Sequence, residues 1–186
     1  MVAIPALWLP ILLAAVLVFL ASFVLHMVLP LHWKDYRKLP NGEPVLDALR
    51  RAQVPPGQYA FPCPGSAKEL GSPEMLKAYQ DGPVGMLTIR PTGKPDMSSS
   101  LVQWFAFSVV MGIFAAYLTG RALPPGADYL AVFRFAGTIA FLGYAATSAT
   151  DPIWKGGSWA TTARHTFDAL VYSLLTAGSF AGFWPA

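Results

Sequence analysis

The sequence predicts an all-α membrane protein with four transmembrane helices and a small cytoplasmic α+β insertion between helices 1 and 2. Two observations lead to this prediction: the composition is apolar, and the apolar residues fall into four long runs. Hydrophobic residues make up 54 % of the 186-residue chain, and charged residues make up only 12 %. A soluble domain has about 25 % charged residues. This chain has too few charged residues to cover a soluble surface.

Each of the four runs is long enough to cross a bilayer core, which takes about 20 residues of helix. The first run carries no preceding Lys or Arg and is longer than the apolar part of a signal peptide, so we expect a retained helix. Ser98, Ser99 and Ser100 precede the second run and predict its N-cap. The expected helices lie within residues 1–31 and at about 101–119, 129–149 and 163–184.

The positions of Lys and Arg predict the orientation, because these residues concentrate in cytoplasmic loops. Nine basic residues lie between the first and second runs, and Lys155 and Arg164 precede the fourth. The opposite side has only Arg121 at a helix end. This bias of eleven to one predicts cytoplasmic residues 32–100 and two periplasmic termini in a bacterial inner membrane. It also assigns the net charge of +3 to membrane orientation rather than to nucleic-acid binding.

Residues 32–100 form the part of the chain that resembles a soluble protein in composition. Periodicity predicts helices over Glu43 to Gln53 and Ser72 to Gln80, the second with Ser72 as its N-cap. Runs bounded by Gly and Pro predict strands over Gln58 to Phe61 and Val84 to Arg90. A module this thin buries little apolar surface. We therefore expect it to rest on the membrane, on the helix ends or on a partner.

Three ionisable side chains are predicted at the cytoplasmic end of the bundle. His26 lies near the end of the first helix, and His165 and Asp168 lie in the first turns of the fourth. Ionisable residues inside a membrane are costly and usually face a partner in the protein interior. We therefore predict a contact between His26 and Asp168. The three residues form either a proton relay or ligand site for a metal or tetrapyrrole, or a structural contact that fixes helix packing.

The remaining motifs predict neither an enzyme nor a metal site. His26 and His32 are six residues apart, so they do not share a face of a continuous helix. The single Cys63 excludes a cysteine cluster. The glycine-rich spots lack the spacing of nucleotide-binding loops. The sequence identifies no particular cofactor.

Small residues recur on the third and fourth helices, where they allow helix backbones to approach closely. Ala136 and Ala140 share a stripe on the third helix, and Gly178 and Gly182 share one on the fourth. The glycine stripe either packs inside its own bundle, which we favour, or docks another membrane subunit.

These observations favour a non-catalytic accessory or assembly subunit of a larger bacterial membrane complex, of respiratory or photosynthetic type. Its partners would be the lipid bilayer and other membrane-protein subunits. The alternative is a cofactor-binding or proton-handling integral membrane protein that uses His26, His165 and Asp168. A small homo-oligomeric transporter is a third candidate, although the helices show no internal repeat.

The predicted orientation is testable with reporter fusions. A reporter that is active only in the periplasm should work when fused at Ala186 and fail when fused at Gly71, because the basic residues hold the intervening segment in the cytoplasm. Activity at Gly71 without activity at Ala186 would reverse the orientation.

Overall fold

The computed structural model describes residues 1–94 and 96–186 and divides the chain into two compact units. The first unit contains Met1–Asp35 and Asp96–Ala186, and the described part of the second runs from Tyr36 to Lys94. The helices and strands, in chain order, are α1 (Trp8–Phe23), α2 (Gly42–Arg51), β1 (Gly57–Phe61), α3 (Ala67–Leu70), α4 (Pro73–Asp81), β2 (Gly85–Ile89), α5 (Ser98–Ala122), α6 (Tyr129–Ala145), α7 (Thr150–Trp154) and α8 (Trp159–Gly182).

The first unit is an antiparallel bundle of the four long helices. Its helices pack in a ring, α1 against α5, α5 against α6, α6 against α8 and α8 against α1. At one end the Val2 N–H donates to the Gly120 carbonyl, and the Gly126 N–H donates to the Pro185 carbonyl, each over 2.8 Å. Both termini therefore meet the turn between α5 and α6. We call the opposite end, where α1 ends and α8 begins, the histidine end.

The bundle buries many small and polar side chains and exposes many large apolar ones. Ala115, Ala136 and Ala140 are fully buried. Large apolar side chains of the bundle, such as Leu20 on α1 and Phe114 on α5, are more than half exposed. A soluble bundle shows the reverse distribution, because water drives large apolar side chains inward. The apolar outer surface suits contact with lipid.

Three helices are long and apolar enough to cross a membrane: Ile4–Val28, Ser98–Ala122 and Tyr129–Trp154. They are consistent with a multi-pass membrane protein. The fourth predicted span is not confirmed, although α8 is 24 residues long. Its polar side chains, which include His165, Asp168 and Ser173, lower its hydropathy.

Glycines at two helix contacts allow the backbones to approach closely. A Cβ on Gly112 of α5 would lie 3.1 Å from Ile11 Cγ2 on α1, and a Cβ on Gly137 of α6 would lie 3.0 Å from Ala177 Cβ on α8. Cβ atoms on Gly178 and Gly182 would meet nothing within 4 Å. The expectation that these two glycines pack inside the bundle is therefore wrong. The inward face of α8 consists instead of Tyr172, Thr176, Phe180 and their neighbours.

The start of α5 also differs from the prediction. The three serines lie in its first turn, and Met97 occupies the N-cap position without a side-chain hydrogen bond. The carboxylate of Asp96 instead accepts the Ser98 N–H at 2.9 Å. A carboxylate serves this role well, because helix N-termini leave N–H groups without intrahelical partners.

The second unit contains a two-stranded antiparallel sheet and three short helices. Strands β1 and β2 pair from Gly57 opposite Ile89 to Phe61 opposite Gly85, close to the predicted ranges. The predicted helices correspond to α2 and α4, and Ser72 Oγ accepts the Met75 N–H as the expected N-cap. The short α3 was not predicted.

The glycine contacts generate a prediction about packing. Gly112→Leu should destabilise the bundle by about 1–3 kcal/mol, because the new side chain overlaps Ile11 in a filled contact. Gly178→Leu is the matched control, and it should leave stability nearly unchanged. Thermal unfolding in detergent measures both. Equal losses from the two variants would contradict the described packing.

Candidate functional site

The end of the first helix places two histidines side by side. After α1 the chain makes a π-helical turn over Val24–Val28, and Leu29 is extended. Pro30 lacks an N–H and restricts the residue before it, so the helix cannot continue. A 3-10 turn, Pro30–His32, follows. It stacks the His32 ring on the His26 ring, with centroids 4.1 Å apart and planes 2° from parallel.

Asp168 of α8 lies at the centre of a cluster that contains all three histidines of the chain. Its Oδ2 atom is 3.0 Å from His32 Nε2 and 3.7 Å from both His26 Nε2 and His165 Nδ1. One nitrogen from each histidine and a carboxylate oxygen all lie within 4.8 Å of one another. We call these four residues the His₃Asp cluster.

Hydrogen bonds determine which nitrogen two of these histidines present to Asp168. His26 Nδ1 lies 3.1 Å from the Ser22 carbonyl oxygen, and His32 Nδ1 lies 2.6 Å from Asp35 Oδ2. A carbonyl and a carboxylate only accept hydrogen bonds, so both Nδ1 atoms carry the proton. In the neutral rings Nε2 therefore keeps its lone pair, and in both residues Nε2 faces Asp168.

The Asp168 carboxylate is buried but poorly satisfied. Its side chain is 4 % exposed, and neither oxygen has a hydrogen-bond partner among the described residues. His32 Nε2 lies 3.0 Å from Asp168 Oδ2 and has no further polar partner among the described residues. Buried charges normally are paired, hydrogen-bonded or bound to metal. Among the described residues, the three imidazoles are the groups that compensate this carboxylate.

An ion pair between Asp35 and Arg164 contacts the cluster at His32. Arg164 Nε donates to Asp35 Oδ1 at 2.7 Å, and Arg164 also contacts Thr161 Oγ1 at 3.1 Å. Burial opposes ionisation of Asp35, but hydrogen bonds from His32 and Arg164 outweigh it and hold the pKa of this carboxyl below its usual value. The ionised Asp35 fixes the orientation of the His32 ring.

A cavity of about 650 Å³ lies within the bundle beside the cluster. His26, His165 and Asp168 contribute to its wall. Most of the remaining wall is apolar, and six aromatic side chains line it: Phe19, Phe23, Trp104, Phe107, Tyr144 and Tyr172. The His₃Asp cluster therefore lies between the Asp35–Arg164 ion pair and this mostly apolar cavity.

The structure confirms the predicted contact between His26 and Asp168 and places His165 beside them. The inference that His26 and His32 lie apart is wrong, because it assumed one continuous helix. The expectation of no metal site rested in part on that assumption, and it loses this part of its support. Sequence reasoning also missed Asp35. Pro30, directly after the apolar run, was the available signal for the helix break.

Comparisons with known protein families, with curated proteins and with solved structures found no match to this chain. The cluster's chemistry is therefore argued from its own geometry.

The buried ion pair generates a stability prediction. Arg164→Gln should destabilise the bundle by about 2–4 kcal/mol, because it leaves the Asp35 carboxylate buried without its cation. Lys155→Gln is the matched control, since the Lys155–Asp151 pair is largely exposed and worth about 0–1 kcal/mol. Urea or thermal unfolding in detergent measures both. Comparable effects would show that the Asp35–Arg164 pair contributes no more than a surface pair.

Proposed function

We propose that this protein is an integral membrane protein that binds one divalent first-row transition-metal ion between His26, His32, His165 and Asp168. One observation carries the proposal: the chain's three histidines, which come from two distant segments of the sequence, converge on one buried carboxylate. A structural contact between two helices needs a single pair. It gives no reason for two further imidazoles at the same oxygen.

The donor set selects the class of metal. Imidazole nitrogens suit Zn²⁺, Fe²⁺, Ni²⁺ and Cu²⁺, whereas Mg²⁺ and Ca²⁺ require oxygen ligands. In a tetrahedral zinc site with bonds of about 2.1 Å the ligand atoms lie about 3.4 Å apart, so a separation at the 4.8 Å limit closes by about 1.4 Å when the ion binds. Three histidines and one carboxylate complete a tetrahedral site or leave open positions in a larger coordination shell.

The hydrogen bonds around the cluster match those of metal-binding histidines. Such histidines donate their second ring N–H to a carboxylate or backbone carbonyl, which fixes the tautomer and orients the ligand nitrogen. His26 donates to the Ser22 carbonyl and His32 donates to Asp35. The positive charge of the ion would also satisfy the two unpartnered oxygens of Asp168.

We further propose that α8 is the fourth span and that the histidine end faces the cytoplasm of a bacterial cell. At 24 residues α8 is about 36 Å long, enough for a bilayer core. Phe167, Leu170 and Leu174 give it an exposed apolar face, while Asp168 and Ser173 are buried in the bundle. The eleven-to-one distribution of basic residues supports the orientation.

The accessory-subunit role stays a prediction, as does the absence of enzyme activity. The outward glycine face of α8 leaves room for a neighbouring subunit but does not identify one. A metal-binding bundle is compatible with a place in a larger complex. The transporter reading gains no support from the cluster.

The metal proposal is tested by metal analysis of the full-length protein. The protein is purified from membranes with an affinity tag that contains no histidine, and its metals are counted by mass spectrometry. We expect about one transition-metal ion per chain in the wild type and less than about a tenth of that in Asp168→Ala, because loss of the carboxylate removes the only anionic ligand.

Asp151→Ala is the matched control, since Asp151 is an exposed carboxylate in the same bundle. It should retain the full metal content. His32→Ala should lose most of its metal, and this variant distinguishes the metal site from a contact between His26 and Asp168 alone. A folded wild-type protein that binds no metal after incubation with Zn²⁺, Fe²⁺ or Cu²⁺ would overturn the proposal.

A further inference from the structure

The cavity beside the His₃Asp cluster has the dimensions of a small-molecule site. Its volume of about 650 Å³ falls within the range of about 300–1,000 Å³ that such sites occupy. All four long helices contribute to its wall. Several of the wall residues are also exposed apolar side chains, among them Phe23, Met27 and Leu101. An apolar molecule from the bilayer would therefore meet an apolar rim.

The histidines and the carboxylate of the cavity wall all belong to the His₃Asp cluster. Asp168 and His32 are nearly buried, whereas the side chains of His26 and His165 are about 40–46 % exposed and line the cavity. An ion held by the cluster would thus be approachable from the cavity side. An oxygen atom of a bound molecule would reach the ion there.

A second polar group lies one helical turn further along α8. Tyr172 lines the cavity, its side chain is nearly buried, and its hydroxyl has no hydrogen-bond partner among the described residues. A buried hydroxyl without a partner costs free energy. As a donor, it would be satisfied by an acceptor oxygen on a bound molecule.

The aromatic wall indicates the shape of that molecule. The rings of Trp104, Tyr144 and Tyr172 form a mutually contacting group with centroids 5.4–6.1 Å apart. Aromatic side chains favour stacked or edge-to-face contact with another flat ring. The Trp104 indole N–H already donates to Ser22 Oγ at 2.9 Å, so a bound molecule need not offer it an acceptor.

We propose that this cavity binds a quinone: a planar ring with carbonyl oxygens on an apolar tail. One carbonyl oxygen contacts the metal ion between His26 and His165 and accepts a hydrogen bond from Tyr172, and the ring packs against Trp104 and Tyr144. The inference rests on the proposed metal site for the first of these contacts. The tail lies along the apolar wall toward the bilayer.

The experiment is calorimetric titration of a short-tailed benzoquinone into the metal-loaded protein in lipid nanodiscs. We expect saturable binding at one site per chain. Tyr172→Phe should weaken it about threefold to tenfold through loss of one hydrogen bond, with unchanged metal content. This variant keeps the ring, and it removes a hydroxyl that has no partner, so it should fold normally. Tyr129→Phe, an exposed tyrosine at the other end of the bundle, is the matched control.

Two further measurements test whether binding requires the quinone ring and whether it requires the metal ion. An alkane with the same tail should bind at least tenfold more weakly than the quinone, and metal-depleted protein should bind the quinone more weakly than loaded protein. The proposal is overturned by absence of saturable binding, by unchanged affinity in Tyr172→Phe, by equal binding of the alkane or by equal binding without metal. If the protein binds metal but the quinone measurements fail, only the quinone proposal is overturned. If the protein binds no metal, the proposed metal-binding function is overturned as well.

Discussion

The burial of the Asp168 carboxylate is the constraint on which the arrangement of the histidine end depends. An ionised carboxylate in an apolar bundle is unfavourable unless nearby groups compensate its charge. Three imidazoles surround it, each with a nitrogen 3.0–3.7 Å from Oδ2. The metal proposal interprets these four residues as the ligands of a cation, which would compensate the buried charge.

The backbone conformation after α1 brings His32 into the cluster. The π-helical turn, the extended Leu29 and the 3-10 turn bring His32 back over His26. The two rings stack with centroids 4.1 Å apart, and both turn Nε2 toward Asp168. The Asp35–Arg164 pair then holds the outer ring nitrogen of His32. Stacking and the hydrogen-bond contacts at Nδ1 together direct the Nε2 atoms of His26 and His32 toward Asp168.

The sequence predicted the features that follow from local pattern. Hydropathy located the long helices, and turn residues located both strands and the Ser72 cap. The cost of an intramembrane charge was enough to predict the contact between His26 and Asp168. Helix α8 is less apolar than the three candidate spans because it contains more polar residues, several of which are buried in the bundle.

The sequence could not predict which face each helix presents or how far a helix continues. His32 joins the cluster because Pro30 ends the first helix. If helical periodicity is extended past Pro30, it places His32 on a different face from His26. Gly178 faces outward although the same spacing suits an internal contact, since the choice of face depends on how the other three helices pack. The link between Asp35 and Arg164 joins residues 129 positions apart, and no local pattern relates them.

X-ray absorption spectroscopy at the metal edge tests the central claim most directly, because it reads the ligands themselves. The zinc-loaded protein should show a first shell of nitrogen and oxygen only, with the outer-shell scattering of three imidazole rings. His32→Ala protein, saturated with zinc, should show two rings. A shell without imidazole scattering, or a spectrum unchanged by the His32 substitution, would contradict the assignment of His26, His32, His165 and Asp168 as a metal centre.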